Sequence, residues 1–297
     1  MDRRDVLRIA LLSASALAAR SGVSSESKRD RTKARLAALE RERGGRLGVA
    51  ILDTGNRRHA EHRANERFLM CSTFKVLAVA AVLARVDRGE ESLDRRIVFD
   101  QTVVLAYAPV TSQRSGGQGM TVSELCAAAI TVSDNTAANL LLTSLGGPAV
   151  VTSLARQLGD EVTRLDRVEP ELNVSTGKDD VRDTTTPAAM LADLQKILLG
   201  RTLSAASRNQ LIAWLRSSIT GNHRIRAGIP AHWEIGDKTG SGSHGESNDV
   251  AIIWPPEREP LLVSAYYANW TMDDAGRNEV LAEVGRIACQ IEEDMLP

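Results

Sequence analysis

Hydrophobic and polar positions divide this chain into three stretches. Between Arg31 and Arg43 the apolar residues Ala34, Leu36, Ala37 and Leu39 sit at helical spacing among charges, the pattern of a surface helix, and Gly44-Gly45 ends it. Leu47 to Asp53 reads as a strand, Thr54-Gly55-Asn56 as a turn and Arg58 to Arg63 as the partner strand. The middle is dense in helix. Ser72 to Arg88 is long, apolar and free of proline and glycine, and Val122 to Val132, Thr136 to Leu145, Pro187 to Leu199 and Ala205 to Ser217 follow it. Helix-start signals stand at Thr186-Pro187 and at Ser204. Residues 164–186 are polar with little periodicity, and a loop that long inside a compact domain is functional or disordered. Strand patterns return only near the end, at Trp233 to Lys238, Asn248 to Trp254 and Leu261 to Tyr267, and a helix from Glu279 to Glu293 closes the chain. Strands at both ends with helices between them predict an α+β fold: an antiparallel sheet built from N- and C-terminal segments, flanked by helices, with an all-helical domain inserted. The expected parts are 31–68 with 222–297 for the sheet and 69–221 for the helical insertion, with the active site between them.

Composition narrows the function. Of 297 residues, 43% are hydrophobic and 25% charged, which is ordinary for a globular protein. The formal net charge of −1 lacks the basic footprint of a nucleic-acid binder, and aromatic residues at 3% supply little stacking surface. Three cysteines, Cys71, Cys126 and Cys289, are an odd set and no disulfide framework; they read as small buried hydrophobes. The N-terminus is an address. Arg3-Arg4-Asp5-Val6-Leu7-Arg8 is a twin-arginine pattern, and Ala16-Leu17-Ala18-Ala19 offers small-residue cleavage sites. The apolar run between, Ile9 to Ala19, is shorter than the ~20 residues of a membrane span. Residues 1–30 are therefore expected to be an export signal and linker. They would deliver the mature domain to a periplasmic or cell-envelope space, or outside the cell, with no stable membrane anchor after processing.

Several signals that resemble chemistry dissolve on inspection. Gly240 to Gly245 spells G-x-G-x-x-G, but a strand follows it where a dinucleotide fingerprint needs a helix. His59 and His62 have nothing nearby to complete a metal set. There is no H-E-x-x-H, C-x-x-C, P-loop or G-x-S-x-G elbow, so a serine nucleophile here must be activated without a histidine triad.

Lysine can replace histidine as a base when burial and neighbouring cations depress its pKa. The local mark is S-x-x-K on a helix, where one turn puts ammonium and hydroxyl on one face. The chain has this spacing at Ser25…Lys28, Ser72…Lys75 and Ser175…Lys178, and only Ser72-Thr73-Phe74-Lys75 opens a long apolar helix. A helix start also offers unpaired N–H groups to a developing oxyanion. Ser133-Asp134-Asn135 follows between helical segments, and Lys238-Thr239-Gly240 ends a strand. Each triplet is common; the three in this order and context are specific. They are the motif set shared by penicillin-binding proteins and class A β-lactamases. Arg167-Val168-Glu169-Pro170-Glu171-Leu172-Asn173 resembles the acidic loop of the class A enzymes, and Arg182-Asp183-Thr184-Thr185 its end. The resemblance runs from about Arg31 to the end of the chain.

That resemblance implies a set of roles. Ser72 attacks the lactam carbonyl, with Lys75 or a water held by Glu169 taking its proton. The N–H groups of Ser72 and Ser241 form the oxyanion hole. Ser133 passes a proton to the lactam nitrogen beside Lys238, and Asn135 holds the substrate's amide. Glu169 and Asn173 deliver the deacylating water. Lys238, Thr239, Gly240 and Ser241 line the carboxylate pocket, Tyr107 in Tyr107-Ala108-Pro109-Val110 walls its mouth, and Asp183 pairs with Arg167 at the loop's neck. Arg224 is expected to supply a further cation, because Ser247 stands where many relatives carry an arginine. The family reading calls for no metal and no organic cofactor, a small β-lactam as the only partner, and a monomer. Two departures stand out: Val174-Ser175-Thr176-Gly177-Lys178 replaces an Ile-Pro turn and is a residue longer, and Gly242 gives Cys71 no thiol partner. Rivals are a D,D-peptidase, a β-lactam sensor that stays acylated, and a serine esterase of this fold. The first two do not need Glu169, and the esterase is expected to have a different second motif.

Overall fold

A computed structural model of the chain describes residues 31–177 and 179–293. The expected export signal and linker, with Ser25 and Lys28, lie outside the described residues, as does Lys178. Helical residues 31–43 (α1) lead into β1 (Arg46–Asp53) and β2 (Arg58–His62), and then into the short β3 (Phe68–Leu69). The middle of the chain carries α2 (Phe74–Asp87), β4 (Arg96–Ile97), β5 (Met120–Thr121), α3 (Val122–Thr131), α4 (Asn135–Ser144) and α5 (Ala149–Gln157). After a long loop come β6 (Thr184–Thr185), α6 (Pro187–Leu198), α7 (Ala205–Arg216) and the single turn α8 (Ile225–Gly228). The chain then forms β7 (Glu234–Ser241), β8 (Glu246–Trp254), β9 (Leu261–Ala268) and α9 (Asp274–Glu293).

The expected architecture is the observed one. Five strands form one sheet in the order β2-β1-β9-β8-β7, with every neighbouring pair antiparallel. Strands from the two ends of the chain meet where Val49 stands opposite Ala265. Both faces of the sheet are covered. On β9, Leu262 and Tyr266 turn toward the helical layer, while Leu261, Val263, Ala265 and Tyr267 turn toward α1 and α9. A strand buried on both faces reads as an unbroken apolar run, which is why the sequence shows no alternation there. At roughly 1.5–3 kcal/mol for each large apolar side chain fully removed from water, these two layers dominate the stability of the fold.

Helix α2 is the axis of the helical layer. Val76, Leu77, Val79, Val82 and Leu83 are all buried, so the helix is apolar on every side, as a helix enclosed by others must be. Side chains hold the other helix starts: Thr121 and Glu124 form a reciprocal capping box on α3, Asp134 caps α4, Thr186 caps α6 and Ser204 caps α7. Three boundaries differ from the pattern. The expected helix from Ser72 begins at Phe74, after a 3-10 turn over Cys71–Thr73, because Cys71 has a φ of 45°. Strand β7 runs to Ser241, past the end of its apolar pattern, and α9 begins at Asp274 on polar residues. Helix α5 has no counterpart in the hydrophobic pattern; it buries only Val151, Leu154 and Ala155. Among the described residues no single helix is long and apolar enough to cross a membrane.

Candidate active site

The site forms where three sequence-distant pieces meet: the turn before α2, the turn before α4, and β7. Asn248 on β8 donates to Leu69 O at 2.9 Å and to Met70 O at 3.2 Å, which ties the sheet to the turn holding Ser72. The backbone of β7 packs against the same turn. A Cβ on Gly240 would lie 2.8 Å from Met70 O and 3.2 Å from Ser72 N, so only glycine permits the approach.

Behind Ser72 two ammonium groups converge on one hydroxyl. Lys75 is wholly buried, and its Nζ donates to Ser133 O at 2.8 Å, Asn135 Oδ1 at 2.6 Å and Ser133 Oγ at 3.2 Å. Lys238, also wholly buried, donates to Ser133 Oγ at 3.0 Å and Thr239 O at 2.7 Å. With both acceptor sites of its oxygen engaged, the Ser133 hydroxyl has its own proton free to donate elsewhere. Burial lowers the pKa of Lys75, and the adjacent Glu169 carboxylate opposes that shift. Burial holds Lys238 well below its ordinary value, and the positive Lys75 pushes the same way. Ser133 itself has a φ of 59°, a left-handed conformation unusual for serine. Asp134 pins this turn: it is buried, accepts from Val110 N at 3.0 Å and Thr111 N at 2.9 Å, and caps α4 through Ala137 N at 2.9 Å.

Glu169 is 1% exposed and faces the nucleophile. Its Oε1 accepts from Ser72 Oγ at 3.1 Å and stands 3.1 Å from Lys75 Nζ, while Oε2 accepts from Asn173 Nδ2. The peptide bond to Pro170 is cis. Asn139, one turn beyond Asn135 on α4, grips the Glu169 backbone on both sides: Glu169 N donates to its Oδ1 at 3.0 Å, and its Nδ2 donates to Glu169 O at 2.8 Å. At the loop's neck Arg167 pairs with Asp183, as expected, and Asp183 also accepts from the backbone N–H of Asp166 at 2.7 Å and Arg167 at 2.9 Å. The carbonyl of Asp183 accepts from Met70 N at 2.9 Å, so the neck is tied to the strand that leads to Ser72.

A cavity of about 420 Å³ opens in front of these groups, lined by Ser72, Tyr107, Ser133, Asn135, Asn173, Thr220, Arg224, Thr239, Gly240 and Ser241. Every expected pocket residue is there except Lys75, Glu169 and Lys238, which lie behind it and reach it through Ser72 and Ser133. The wall presents hydroxyls to a small ligand, with buried cations and one carboxylate directly behind them, the equipment of acyl transfer.

Comparison with known proteins agrees. The family model described as the beta-lactamase enzyme family matches residues 31–291. The chain belongs to the class A β-lactamases. Beta-lactamase L2 of Stenotrophomonas maltophilia is 49% identical over 85% of this chain and 83% of its own. CTX-M-8 of Citrobacter amalonaticus is 46% identical over 85% and 86%. Among solved structures, an ancestral (GNCA) class A β-lactamase superposes with a TM-score of 0.85 at 57% identity, covering 87% of this chain and 99% of that one.

Other features of this β-lactamase bear on the site. Arg224 is half-buried rather than a free surface charge. It donates to Gly240 O at 2.8 Å, Asn248 O at 2.7 Å, Asn278 Oδ1 at 2.9 Å and Ser241 Oγ at 2.7 Å, so its last N–H group faces the cavity through Ser241. Ser247 is buried opposite Ser241 in the β7–β8 register. Tyr107 is 53% exposed at the rim, and its hydroxyl donates to Val132 O at 3.2 Å. The polar segment after Asn173 is closed by Asp180, which accepts from Thr176 N at 3.1 Å and Arg182 Nε at 2.8 Å. All three cysteines are buried, and among the described residues no cluster of three or more His, Cys, Asp or Glu is placed to hold a metal ion. Sequence reasoning missed Asn139 and Thr220. Asn139 carried a faint signal as an amide at helical spacing from Asn135. Thr220, whose hydroxyl accepts from Thr239 Oγ1 at 2.7 Å, carried none.

Proposed function

We propose that this β-lactamase hydrolyses penicillins and cephalosporins through a Ser72 acyl-enzyme that Glu169 deacylates. Ser72 Oγ attacks the lactam carbonyl, and its proton passes to Lys75, whose pKa is lowered by burial, or through a water to Glu169. The N–H groups of Ser72 and Ser241 receive the oxyanion, each worth roughly 10²–10³ in rate. Ser133 donates its unengaged proton to the lactam nitrogen as the ring opens, with Lys238 positive beside it. Asn135 holds the substrate's side-chain amide. Thr239, Ser241 and Arg224 bind its carboxylate, and Tyr107 walls the mouth. Glu169 and Asn173 then hold the water that hydrolyses the ester. No metal or cofactor is assigned a step.

The observation that carries this reading is the placement of a buried carboxylate 3.1 Å from the Ser72 hydroxyl, supported by a loop fastened at neck and crown. A D,D-peptidase or a sensor domain has no use for it, and an esterase of this fold would carry a second motif other than Ser133-Asp134-Asn135. The test is a chromogenic cephalosporin offered to the parent and to Glu169→Ala. The parent should turn over many times, and the variant should stop after one equivalent with a covalent adduct visible by intact mass. A parent that reacts once and halts would overturn the reading. We further propose that residues 1–30 act as a twin-arginine export signal and linker. The mature domain is then a monomer of two parts, 31–68 with 222–297 and 69–221, unanchored in the periplasm or beyond.

A further inference from the structure

Under the root of the loop that carries Glu169 lies a pair of acids with no part in the catalytic cavity. Asp193, on α6, is fully buried, and among the described residues no donor reaches either of its carboxylate oxygens. What lies within hydrogen-bonding reach is another acid, Asp160, just beyond the end of α5 and 7% exposed. The backbone fixes this meeting. Lys196 follows Asp193 by three residues on the same face of α6, and its ammonium donates to Leu158 O, which brings residues 158–160 onto that face. Asp160 is already committed to the loop: its Oδ1 accepts from Val162 N at 2.6 Å and Thr163 N at 3.1 Å. Two carboxylates in contact in an apolar interior cannot both be ionised, and the one that keeps its proton becomes a donor.

We propose that Asp193 and Asp160 hold one proton between them, the Asp193 O–H donating to the Asp160 carboxylate. This bond fastens the root of the Glu169 loop to α6 and makes Asp193 a positioning residue for deacylation. The root it fastens continues directly to the neck: Thr163 Oγ1 meets Thr185 Oγ1 at 2.6 Å, and Arg164 N donates to Thr184 O at 3.0 Å, beside Asp183. The other charged and titratable groups facing the pair are Arg156 from α5, Lys196 from α6 and Tyr266 from β9. Arg156 donates to Asp160 O and to Thr163 O, the latter at 3.0 Å, and its Nε stands 3.4 Å from the Glu161 carboxylate, while Lys196 donates to Leu158 O; both cations oppose the rise of the Asp193 pKa without reversing it. Burial, then the charge of Asp160, raises the Asp193 carboxyl from 3.8 to about 8. The folded chain thus keeps a proton that the unfolded chain loses above 3.8. The bond is intact at neutral pH and is lost as pH rises through about 8, leaving two buried charges that repel at the loop's root.

This inference rests on Glu169 as the deacylating base, so the experiment includes that variant. Parent, Asp193→Asn and Glu169→Ala are followed from pH 6 to 9.5 with a chromogenic cephalosporin, and the acyl-enzyme fraction is measured by rapid quench and intact mass. The parent should accumulate acyl-enzyme and lose kcat as pH passes about 8. Asp193→Asn, whose amide N–H makes the same bond without a titrating proton, should keep the acyl-enzyme low and move the alkaline midpoint up by a pH unit or more. An Asn variant with the parent's alkaline midpoint, or a parent without alkaline accumulation, overturns the proposal. Glu169→Ala should be fully acylated at every pH; if it turns over, the reading of Glu169 fails on its own account. Should Asp193→Asn not fold, Asp160→Asn removes the like charge from the other side and must shift the same midpoint, and an unmoved midpoint refutes the shared proton.

Discussion

Asn139→Ala isolates what the position of Glu169 is worth. The side chain makes two hydrogen bonds to the Glu169 backbone, at 3.0 and 2.8 Å, and touches none of the reacting groups. Each such bond contributes about 1 kcal/mol net, and a buried group left bare costs about 1–3 kcal/mol, so the loop's crown loses about 2–4 kcal/mol of anchoring. At 1.36 kcal/mol per tenfold, that corresponds to about 30- to 1,000-fold in the population of the correctly placed carboxylate. Where Lys75 takes the Ser72 proton, the loss falls on the deacylation half of the cycle. Ser72 and Ser133 stand on the turns before α2 and α4, Lys75 on α2 and Lys238 on β7, and Lys75, Ser133 and Lys238 keep their mutual contacts without the loop. Stopped-flow measurement with a chromogenic cephalosporin should therefore show a burst of about one equivalent followed by a steady rate lowered by about 10²-fold, the scale of a displacement near 1 Å. Intact mass during the slow phase should show the acylated chain. A variant with the parent's steady rate and no adduct would refute the claim that Asn139 places Glu169. A loss of burst rate as large as the loss of steady rate would refute the separation of the two halves.

Three further substitutions probe other contacts. Arg224→Ala removes a charge-assisted donor worth about 1.5–3 kcal/mol, so KM for penicillins should rise about 10- to 150-fold with kcat little changed; an unaltered KM would take the residue out of the carboxylate pocket. Gly240→Ala puts a methyl group 2.8 Å from Met70 O and should push β7 off the Ser72 turn, cutting kcat/KM by about 10²-fold or more in a folded protein; parent-like kinetics would contradict the close approach. Asp134→Ala strips the acceptor from Val110, Thr111 and Ala137 N–H groups and should cost about 3–5 kcal/mol, visible as a fall in Tm of roughly 6 °C or more. A melting curve superimposable on the parent's would remove Asp134 as the pin of that turn.

How much of the molecule could be read beforehand follows from what sets each feature. Helix α2 was legible because an apolar run of that length without breakers has few alternatives, and the three motifs were legible because each sits at the end of an element. The pairing of β1 with β9 joins residues more than two hundred positions apart, and no local pattern encodes a register across such a span. Asn139, Thr220 and Asp193 were missed for a related reason. Each acts through partners on other elements, and each sits singly among residues of ordinary helix or loop character. Arg224 was found by resemblance, yet its four partners on two strands and α9 belong to the folded chain alone.

The places where local rules fail are the most informative. Cys71, Ser133 and Asp183 all have a left-handed φ, of 45°, 59° and 58°, at residue types that avoid it or adopt it only at some cost. Each such residue costs of order 1–3 kcal/mol and persists only where its surroundings over-determine it. Here the constraints are visible. Asn248 holds the carbonyls just before Cys71, two buried lysines converge on Ser133, and Arg167 with two backbone N–H groups holds Asp183. The three strained residues adjoin or form the nucleophile, the proton relay and the neck of the Glu169 loop. The strain is therefore distributed over the parts of the site that must hold their geometry while substrate and water change places. Relaxing any one of these constraints should disturb turnover before it disturbs the fold, because none of the three residues belongs to the two apolar clusters that dominate stability.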